Sequence, residues 1–166
     1  MDAFINARAV FRRMDMRPVG IRMIRRDELP ALIALYVHLH HEDAPLPDDA
    51  ALAAVCEAIP GDPKLQCFVA ERDGQLAGSC TLITIPNLTR GARPYGLIEN
   101  VVTHADYRRQ GIGTRVLHAA LRRAWESNCY KVMLPTRSTR EVTLRFYERA
   151  GFKRGIKTGF VAHPEA

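Results

Sequence analysis

Hydrophobic and polar positions in the first half of the chain predict a strand, two helices and a β-hairpin. Residues 19–26 alternate in the manner of a strand. Two stretches with helical spacing follow, and the second ends at Pro60-Gly61. Residues 65–85 hold two apolar runs around Asp73-Gly74, which predicts a tight hairpin turn. The apolar positions of the two helices are Leu32, Ile33, Tyr36, Val37 and Leu39, then Leu52, Val55, Cys56 and Ile59.

The second half predicts alternating strands and helices. A buried strand over residues 95–102 precedes an amphipathic helix that follows Gly113, and residues 129–134 form the next strand. A last helix ends near Gly151, and the residues after it, 152–163, predict one or two closing strands. The predicted order is therefore β-α-α-β-β-β-α-β-α-β, which indicates one α/β domain with a mixed sheet.

Length and composition indicate one globular domain. Residues 1–18 predict a loosely ordered leader, and residues 19–166 a single domain. The chain is 47% hydrophobic and 25% charged, which is typical of soluble globular proteins. The start lacks the apolar core of a signal peptide, and no run approaches the ~20 apolar residues that span a bilayer. We expect a cytoplasmic protein with no membrane partner.

Cysteine spacing and charge limit the cofactors and partners. The four cysteines contain no Cys-x-x-Cys pair, which favours reduced, mostly buried thiols over a zinc site or a disulfide framework. The net charge is +6, and all but four of the 24 basic residues are arginine. Such a bias fits a solvated surface or an anionic partner. Because the arginines are scattered, no nucleic-acid partner is expected, and a phosphate-bearing cofactor stays open.

The segment "DYRRQGIGTRVL" places two arginines and two glycines between the buried strand and the helix. Its backbone N–H groups, together with the helix N-terminus, can form a cradle for a pyrophosphate. The third glycine of a dinucleotide fingerprint would fall at Val116, and the Gly-Lys-Ser/Thr of a Walker loop is missing. A plain Gly-terminated turn is the alternative. We name this segment the phosphate loop; its residues are Arg108, Arg109, Gln110, Gly111, Ile112, Gly113 and Thr114.

Arg108 through Gly113 match Gln/Arg-x-x-Gly-x-Gly/Ala, and the chain resembles the family with that hallmark, the GNAT superfamily of acyl-CoA-dependent N-acyltransferases. The resemblance extends over "ENVVTHADYRRQGIG", "NCYKVML" and "FYERAGF". The second half is most similar to the glucosamine-6-phosphate N-acetyltransferases. The family resemblance implies a mixed, mostly antiparallel central sheet that splays at the cofactor site. It also implies that acetyl-CoA is the cosubstrate and, as often in the family, that the protein is a homodimer.

The resemblance also indicates which residues would bind the pantetheine arm of the cofactor. Val101, Val102 and Thr103 would hold this arm, and one of their backbone N–H groups would polarise the thioester carbonyl. Two departures concern the acceptor. Arg140 replaces an Asn common in the family, and Leu134-Pro135-Thr136 replaces a strand end that is acidic in the sugar-phosphate enzymes. The identity of the acceptor therefore does not carry over.

Two side chains are candidates for proton transfer. Glu99 lies among apolar residues in "LIENVV", so burial should raise its pKa toward that of a general base. A purely structural carboxylate is the alternative. By the resemblance, Tyr147 would protonate the departing thiolate, since its phenol is protonated at neutral pH. The alternative for Tyr147 is a core aromatic residue. We predict Glu99 as base, acting through a water, and Tyr147 as acid.

Arginines on two loops form a candidate acceptor site. Arg90 and Arg93 precede the Glu99 strand, and Arg137 and Arg140 precede the Tyr147 helix. Guanidinium groups suit bidentate capture of a carboxylate or phosphate. The acceptor would then be a small amine with an anionic group. Alternatively, these are surface arginines of an arginine-rich chain.

A polar segment after the first helix contains several metal-ligand types. Neighbouring loop residues rarely converge on one ion, so we expect no metal here. The resemblance instead places this connection beside the acceptor site. The residues concerned are His38, His40, His41, Glu42 and Asp43.

These features favour an N-acetyltransferase that moves the acetyl group of acetyl-CoA directly to a primary amine of a small molecule. One alternative is a protein or peptide N-acetyltransferase, which needs an open acceptor groove. Another is a domain that binds CoA as a sensor, without turnover. The presence of both Glu99 and Tyr147 speaks against the sensor.

Overall fold

A computed structural model describes residues 19–39, 44–47 and 50–164, so the predicted leader, residues 1–18, lies outside the described ranges. Within them, five strands form one sheet in the order β1-β2-β3-β4-β5. The elements are β1 (Gly20–Met23), α1 (Leu29–Tyr36), α2 (Ala50–Gly61), β2 (Leu65–Arg72), β3 (Gln75–Ile85), β4 (Tyr95–Thr103), α3 (Ile112–Glu126), β5 (Val132–Met133) and α4 (Glu141–Arg149).

The sheet is antiparallel from β1 to β4 and parallel only between β4 and β5. Gly96 pairs with Val132 and Leu97 with Met133, after which β5 ends while β4 continues to Thr103. The two strands therefore share only two paired positions before they part. The mixed, mostly antiparallel sheet predicted from the sequence is confirmed, and so is its splay.

The hairpin of β2 and β3 turns at Asp73-Gly74, as predicted. Asp73 has φ 56° and Gly74 has φ 76°, so both central residues are left-handed. Two left-handed residues make a type I′ turn, whose twist matches that of the flanking strands. The Asp-Gly pair thus fixes the register of the hairpin.

Helices cover both faces of the sheet. Strand residues such as Phe68, Cys80 and Ile98 pack with α3 on one face. Their neighbours along the strands, such as Cys67 and Val69, pack with α1 on the other. The apolar positions of α3 face the sheet, with Val116, Leu117, Ala120 and Ala124 buried and Leu121 half-buried, and the arginines of α3 are exposed. Alternation along the strands therefore divides the core into two layers.

Gly78 of β3 allows the start of α3 to lie against the sheet. A Cβ atom at Gly78 would be 2.9 Å from Ile112 Cγ2 and 3.1 Å from the carbonyl oxygen of Val102. Ile112, the first residue of α3, is 1% exposed. This close approach sets the end of the phosphate loop over the centre of the sheet.

The closing strand predicted for residues 152–163 does not form within the described residues, and this prediction is wrong. The segment has strand-like alternation, but the last strand of the sheet, β5, is only two residues long and offers little backbone to pair with. Phe160 is 93% and Val161 81% exposed. Alternation alone therefore could not reveal the lack of a neighbouring strand.

Candidate active site

A bulge interrupts β4 at the centre of the site. Glu99 pairs with Thr81 and Val102 with Ser79, which leaves two residues of β4 opposite one of β3. The first of them, Asn100, has a left-handed φ of 51°. A bulge leaves a backbone group outside the ladder and changes the direction of the strand. It lies where β4 has already parted from β5, so β4 backbone donors are available beside the gap.

The phosphate loop reaches α3 through two left-handed residues. Arg109 has φ 60°, and Gly111, the residue that precedes the helix, has φ 77°. The N–H of Arg115 donates to the carbonyl of Gly111 at 3.1 Å, which is the first bond of the helical ladder. The first N–H groups of a helix have no acceptor within it and favour an anion. Those groups belong to Ile112, Gly113 and Thr114.

The two glycines of the loop have different structural roles. A Cβ atom at Gly111 would meet nothing within 4 Å, so its left-handed backbone is what requires glycine there. At Gly113 a Cβ atom would lie 3.0 Å from Phe146 Cζ and 3.1 Å from Thr103 Oγ1. Gly113 thus allows α4 and the end of β4 to pack against α3.

Two polar side chains of the loop hold it in place. Arg108 donates from Nε to the carbonyl of Thr103 at 3.3 Å and from Nη2 to that of His38 at 3.2 Å. Gln110 donates from Nε2 to the carbonyl of Asp106 at 3.0 Å. The side chain of Arg108 therefore joins the loop to the residues that follow α1 and β4.

Glu99 is half-buried in the middle of β4. Because it pairs with Thr81, its side chain lies on the face of the sheet that α1 covers. Burial raises the pKa of its carboxyl above the ordinary value. The direction agrees with the sequence-based expectation and suits a group that accepts a proton near neutral pH.

Tyr36, at the end of α1, also contacts the bulge. Its phenol makes polar contact with Thr81 and Asn100, and burial raises its pKa. The hydroxyl of Ser79 is buried close by and also interacts with the phenol of Tyr36. Sequence analysis assigned Tyr36 only to the apolar stripe of α1. Ser79 and Thr81, hydroxyl residues on the same face of a mostly apolar strand, are the signal that could have identified this polar cluster.

Tyr147 lies on α4 between two aromatic rings, with ring centroids 4.9 Å from Phe146 and 6.4 Å from Phe152. Burial raises the pKa of its phenol, and the negative charge of Glu99 raises it further. A hydrogen bond with the Thr136 side chain acts in the opposite direction. Tyr147 and Glu99 are therefore within electrostatic reach of each other, and the phenol stays protonated at neutral pH.

The four arginines of the predicted acceptor site belong to two separate regions. Arg93 donates from Nε to the carbonyl of Asn128 at 3.2 Å and from Nη2 to that of Cys129 at 3.3 Å. These bonds join the β3–β4 loop to the turn after α3. Arg90, with a left-handed φ of 58°, is exposed in the same loop. Both residues lie near the start of β4, away from its bulge.

Arg137 and Arg140 lie nearer to the candidate proton carriers. Both are exposed in the segment between β5 and α4. This segment contains Thr136, whose side chain contacts Tyr147. Of the two predicted pairs, only the second thus belongs to a segment that contacts Tyr147.

Other sequence-based expectations concern cofactors and membranes. All four cysteines are free thiols, and three of them are buried, as expected. Among the described residues, no group of three or more His, Cys, Asp or Glu side chains could hold a metal ion. Residues 40–43 lie outside the described ranges, so the absence of a metal stays a prediction. In the described part of the chain, no helix has the length and apolar character needed to cross a bilayer.

Comparison with known proteins identifies the family. The model of the Acetyltransferase (GNAT) family matches residues 23–152. The chain belongs to this family. Over 140 residues it is 29% identical to a glucosamine 6-phosphate N-acetyltransferase of Trypanosoma brucei brucei, and the match covers 84% of this chain and 92% of that protein. The family resemblance inferred from the loop and helix motifs is confirmed.

Solved structures of the same fold agree. A protein of Agrobacterium tumefaciens strain C58, assigned to the acetyltransferases, is 41% identical, with a TM-score of 0.80 over 87% of this chain and 99% of that one. A transcriptional regulator of Bacillus halodurans C-125 is 28% identical, with a TM-score of 0.77 over 88% of this chain and 99% of that one. The fold is thus shared over nearly the whole described chain.

We expect Glu99→Gln to remove a pH-dependent loss of stability. Burial raises the pKa of Glu99 above its unfolded value, so the protonated form favours the folded state. Relative to the variant, the wild type should lose stability as the pH rises from about 4 through the raised pKa. Urea unfolding of the wild type and each variant between about pH 3 and pH 8 measures the difference.

Glu28→Gln is a control of opposite sign. Glu28 accepts hydrogen bonds from Arg22 at 2.6 and 2.7 Å, and this contact lowers its pKa to about 2. Its contribution is therefore present above the unfolded pKa and is lost as the pH falls toward about 2. If Glu99→Gln and Glu28→Gln shift stability in the same direction with pH, the assignment of a raised Glu99 pKa is wrong.

Proposed function

We propose that this protein transfers the acetyl group of acetyl-CoA directly to a primary amine of a small molecule. The observation that carries the proposal is the gap between β4 and β5, with the bulge at Asn100 on one side and the phosphate loop next to it. Glu99 and Tyr147, two half-buried groups with raised pKa values, interact electrostatically beside this gap. Family membership supports the same reaction.

The shape and chemistry of the gap suit the donor. The N–H groups at the start of α3, with the loop before it, would bind the pyrophosphate. Val101, the second residue of the bulge, and the next two residues, Val102 and Thr103, would lie along the pantetheine arm. A backbone N–H of β4 would donate to the thioester carbonyl oxygen as negative charge develops on it.

The reaction needs two proton transfers. Glu99, through a water, would take a proton from the acceptor ammonium, and the free amine would attack the thioester carbon. The new C–N bond forms, and the C–S bond then breaks as the tetrahedral intermediate collapses. The departing thiolate would take the phenol proton of Tyr147. The nitrogen, still protonated in the tetrahedral intermediate, would release its second proton to solvent as the amide forms, and solvent would restore the phenol.

The acceptor, we propose, carries an anionic group. The chain has a net charge of +6, and Arg137 and Arg140 are exposed beside the segment that contacts Tyr147. A relative of this chain is named for glucosamine 6-phosphate, an amine with a phosphate. Arg93 is engaged with two backbone carbonyls, so Arg137 and Arg140 support this proposal better than Arg90 and Arg93 do.

A homodimer and a cytoplasmic location complete the proposal. Four free thiols fit a reducing compartment. Phe160 and Val161 are largely exposed near the C-terminus, and a second copy of the chain would cover such an apolar patch. Analytical ultracentrifugation at micromolar concentration should therefore give the mass of two chains, and Phe160→Ser should shift the equilibrium toward one. A wild-type protein that sediments as a single chain would contradict the dimer.

Tyr147→Phe should lower kcat at least about tenfold and leave the Kd for acetyl-CoA nearly unchanged. The phenol is needed when the thiolate leaves and not when the donor binds. Release of free thiol from acetyl-CoA, with a panel of amines, measures turnover, and calorimetry measures the Kd. Glu99→Gln should flatten the acid limb of the pH–rate profile.

Phe152→Leu is the matched control for Tyr147→Phe, because it alters the same aromatic cluster without removing a proton donor. Wild-type kcat in Tyr147→Phe and Glu99→Gln across about pH 6 to 9 would show that bulk water carries the protons. If no amine in the panel is acetylated by the wild type, the proposal of a small-molecule acetyltransferase is contradicted.

Arg137→Ala and Arg140→Ala should each raise the KM for an anionic amine by about tenfold or more, the equivalent of the 1.5–3 kcal/mol of a charge-assisted hydrogen bond. The panel should contain amino-sugar phosphates, amino acids, polyamines and aminoglycosides. Arg122→Ala, on the exposed side of α3, removes the same charge away from the site and serves as the control. Acetylation of cationic or neutral amines alone would contradict an anionic acceptor.

A further inference from the structure

Arg72 is a nearly buried cation beside the phosphate loop. It is the last residue of β2 and only 7% exposed. Its guanidinium carbon lies 5.7 Å from the centre of the Tyr107 ring, and its Nε lies 3.8 Å from a carboxylate oxygen of Asp73. Burial of a guanidinium is unfavourable unless polar partners compensate for the lost water. Because burial of the Arg72 guanidinium is unfavourable for stability, its position suggests that the residue has a function.

The partner that matters for the loop is Gln110. Arg72 donates from Nη1 to Gln110 Oε1 at 2.5 Å. The amide nitrogen of Gln110 donates in turn to the carbonyl of Asp106 at 3.0 Å. Both ends of the amide are thus engaged, one by the sheet and one by the turn that begins the loop. Charge-assisted hydrogen bonds of this kind are stronger than neutral ones.

Gln110 lies at the turn of the phosphate loop. It lies between Arg109 and Gly111, the two residues with left-handed backbone that turn the chain into α3. Successive backbone N–H groups in such a turn form an anion-binding concavity only while its geometry is kept. Arg109 has a positive φ, which arginine rarely adopts, so the turn depends on contacts with residues outside the phosphate loop. The amide of Gln110 transmits the contact of Arg72 to this turn.

We propose that Arg72 is a positioning residue that acts through Gln110 to hold the phosphate loop in its anion-binding form. It thereby makes the protein select donors that carry a diphosphate. This inference rests on the proposed use of acetyl-CoA. A residue that acts on the loop alone affects the binding of the diphosphate and leaves the pantetheine and acetyl contacts on β4 unchanged.

The test compares two donors, acetyl-CoA and S-acetylpantetheine, which lacks the diphosphate. Arg72→Met should weaken calorimetric binding of CoA by about tenfold or more and reduce kcat/KM for acetyl-CoA by a similar factor. For S-acetylpantetheine, kcat/KM should stay within about twofold. Gln110→Ala, at an exposed residue, should give the same donor-selective loss and covers the case in which Arg72→Met does not fold. Arg122→Met removes the same charge from an exposed position of α3 and should leave kcat/KM for both donors unchanged.

The double variant separates positioning from simple charge. If Arg72 acts through Gln110, combining Arg72→Met with Gln110→Ala should weaken CoA binding no more than the stronger single change. Fully additive losses would mean that the charge of Arg72 acts alone, and they would overturn the proposal. Equal losses with both donors would show a merely structural role. A wild type that binds no CoA would instead contradict the proposed function, since the proposal for Arg72 presupposes that binding.

Discussion

The site depends on the early separation of β4 from β5. After Gly96 and Leu97 have paired with β5, the rest of β4 has no neighbour on that side within the described residues. Backbone donors in a central strand are costly to leave without acceptors, so an extended polar ligand that pairs with them is favoured there. The bulge at Asn100 lies in this unpaired stretch, directly after Glu99, whose pairing with Thr81 places its side chain on the face that α1 covers. The early end of β5 thus provides both the gap and its backbone donors beside the carboxylate.

Small residues make this arrangement compatible with a packed core. A Cβ atom at Gly96 would lie 3.0 Å from side-chain atoms of both Leu82 and Val132, so glycine is what allows β5 to come close at all. Gly78 does the same for the start of α3, and Gly113 for its contact with α4. Larger side chains at such contacts would push the elements apart and move the phosphate loop relative to β4. Three glycines, on two strands and one helix, therefore position one candidate site.

Local signals in the sequence predicted what local chemistry determines. The Asp73-Gly74 turn needs two left-handed residues, and the loop before α3 contains its glycines in sequence, so both could be predicted from a few neighbouring letters. Partners that are distant in sequence could not. The missing final strand depends on the length of β5, and the contact of Tyr36 with the bulge depends on how α1 crosses the sheet. The raised pKa of Glu99 could be predicted in part, because its apolar neighbours in sequence already indicated burial.

The arginines illustrate why composition predicts a site only in part. In the sequence the arginines are scattered without a pattern, yet in the folded protein they donate to different acceptors. Arg93 and Arg108 donate to backbone carbonyls, and Arg72 is buried against the side chain of Gln110. A guanidinium bound in this way acts first as a structural donor, because its fork is already occupied by fixed acceptors. The positive charge that can meet a ligand is therefore carried by exposed residues such as Arg109, in the phosphate loop, and Arg140, directly before α4.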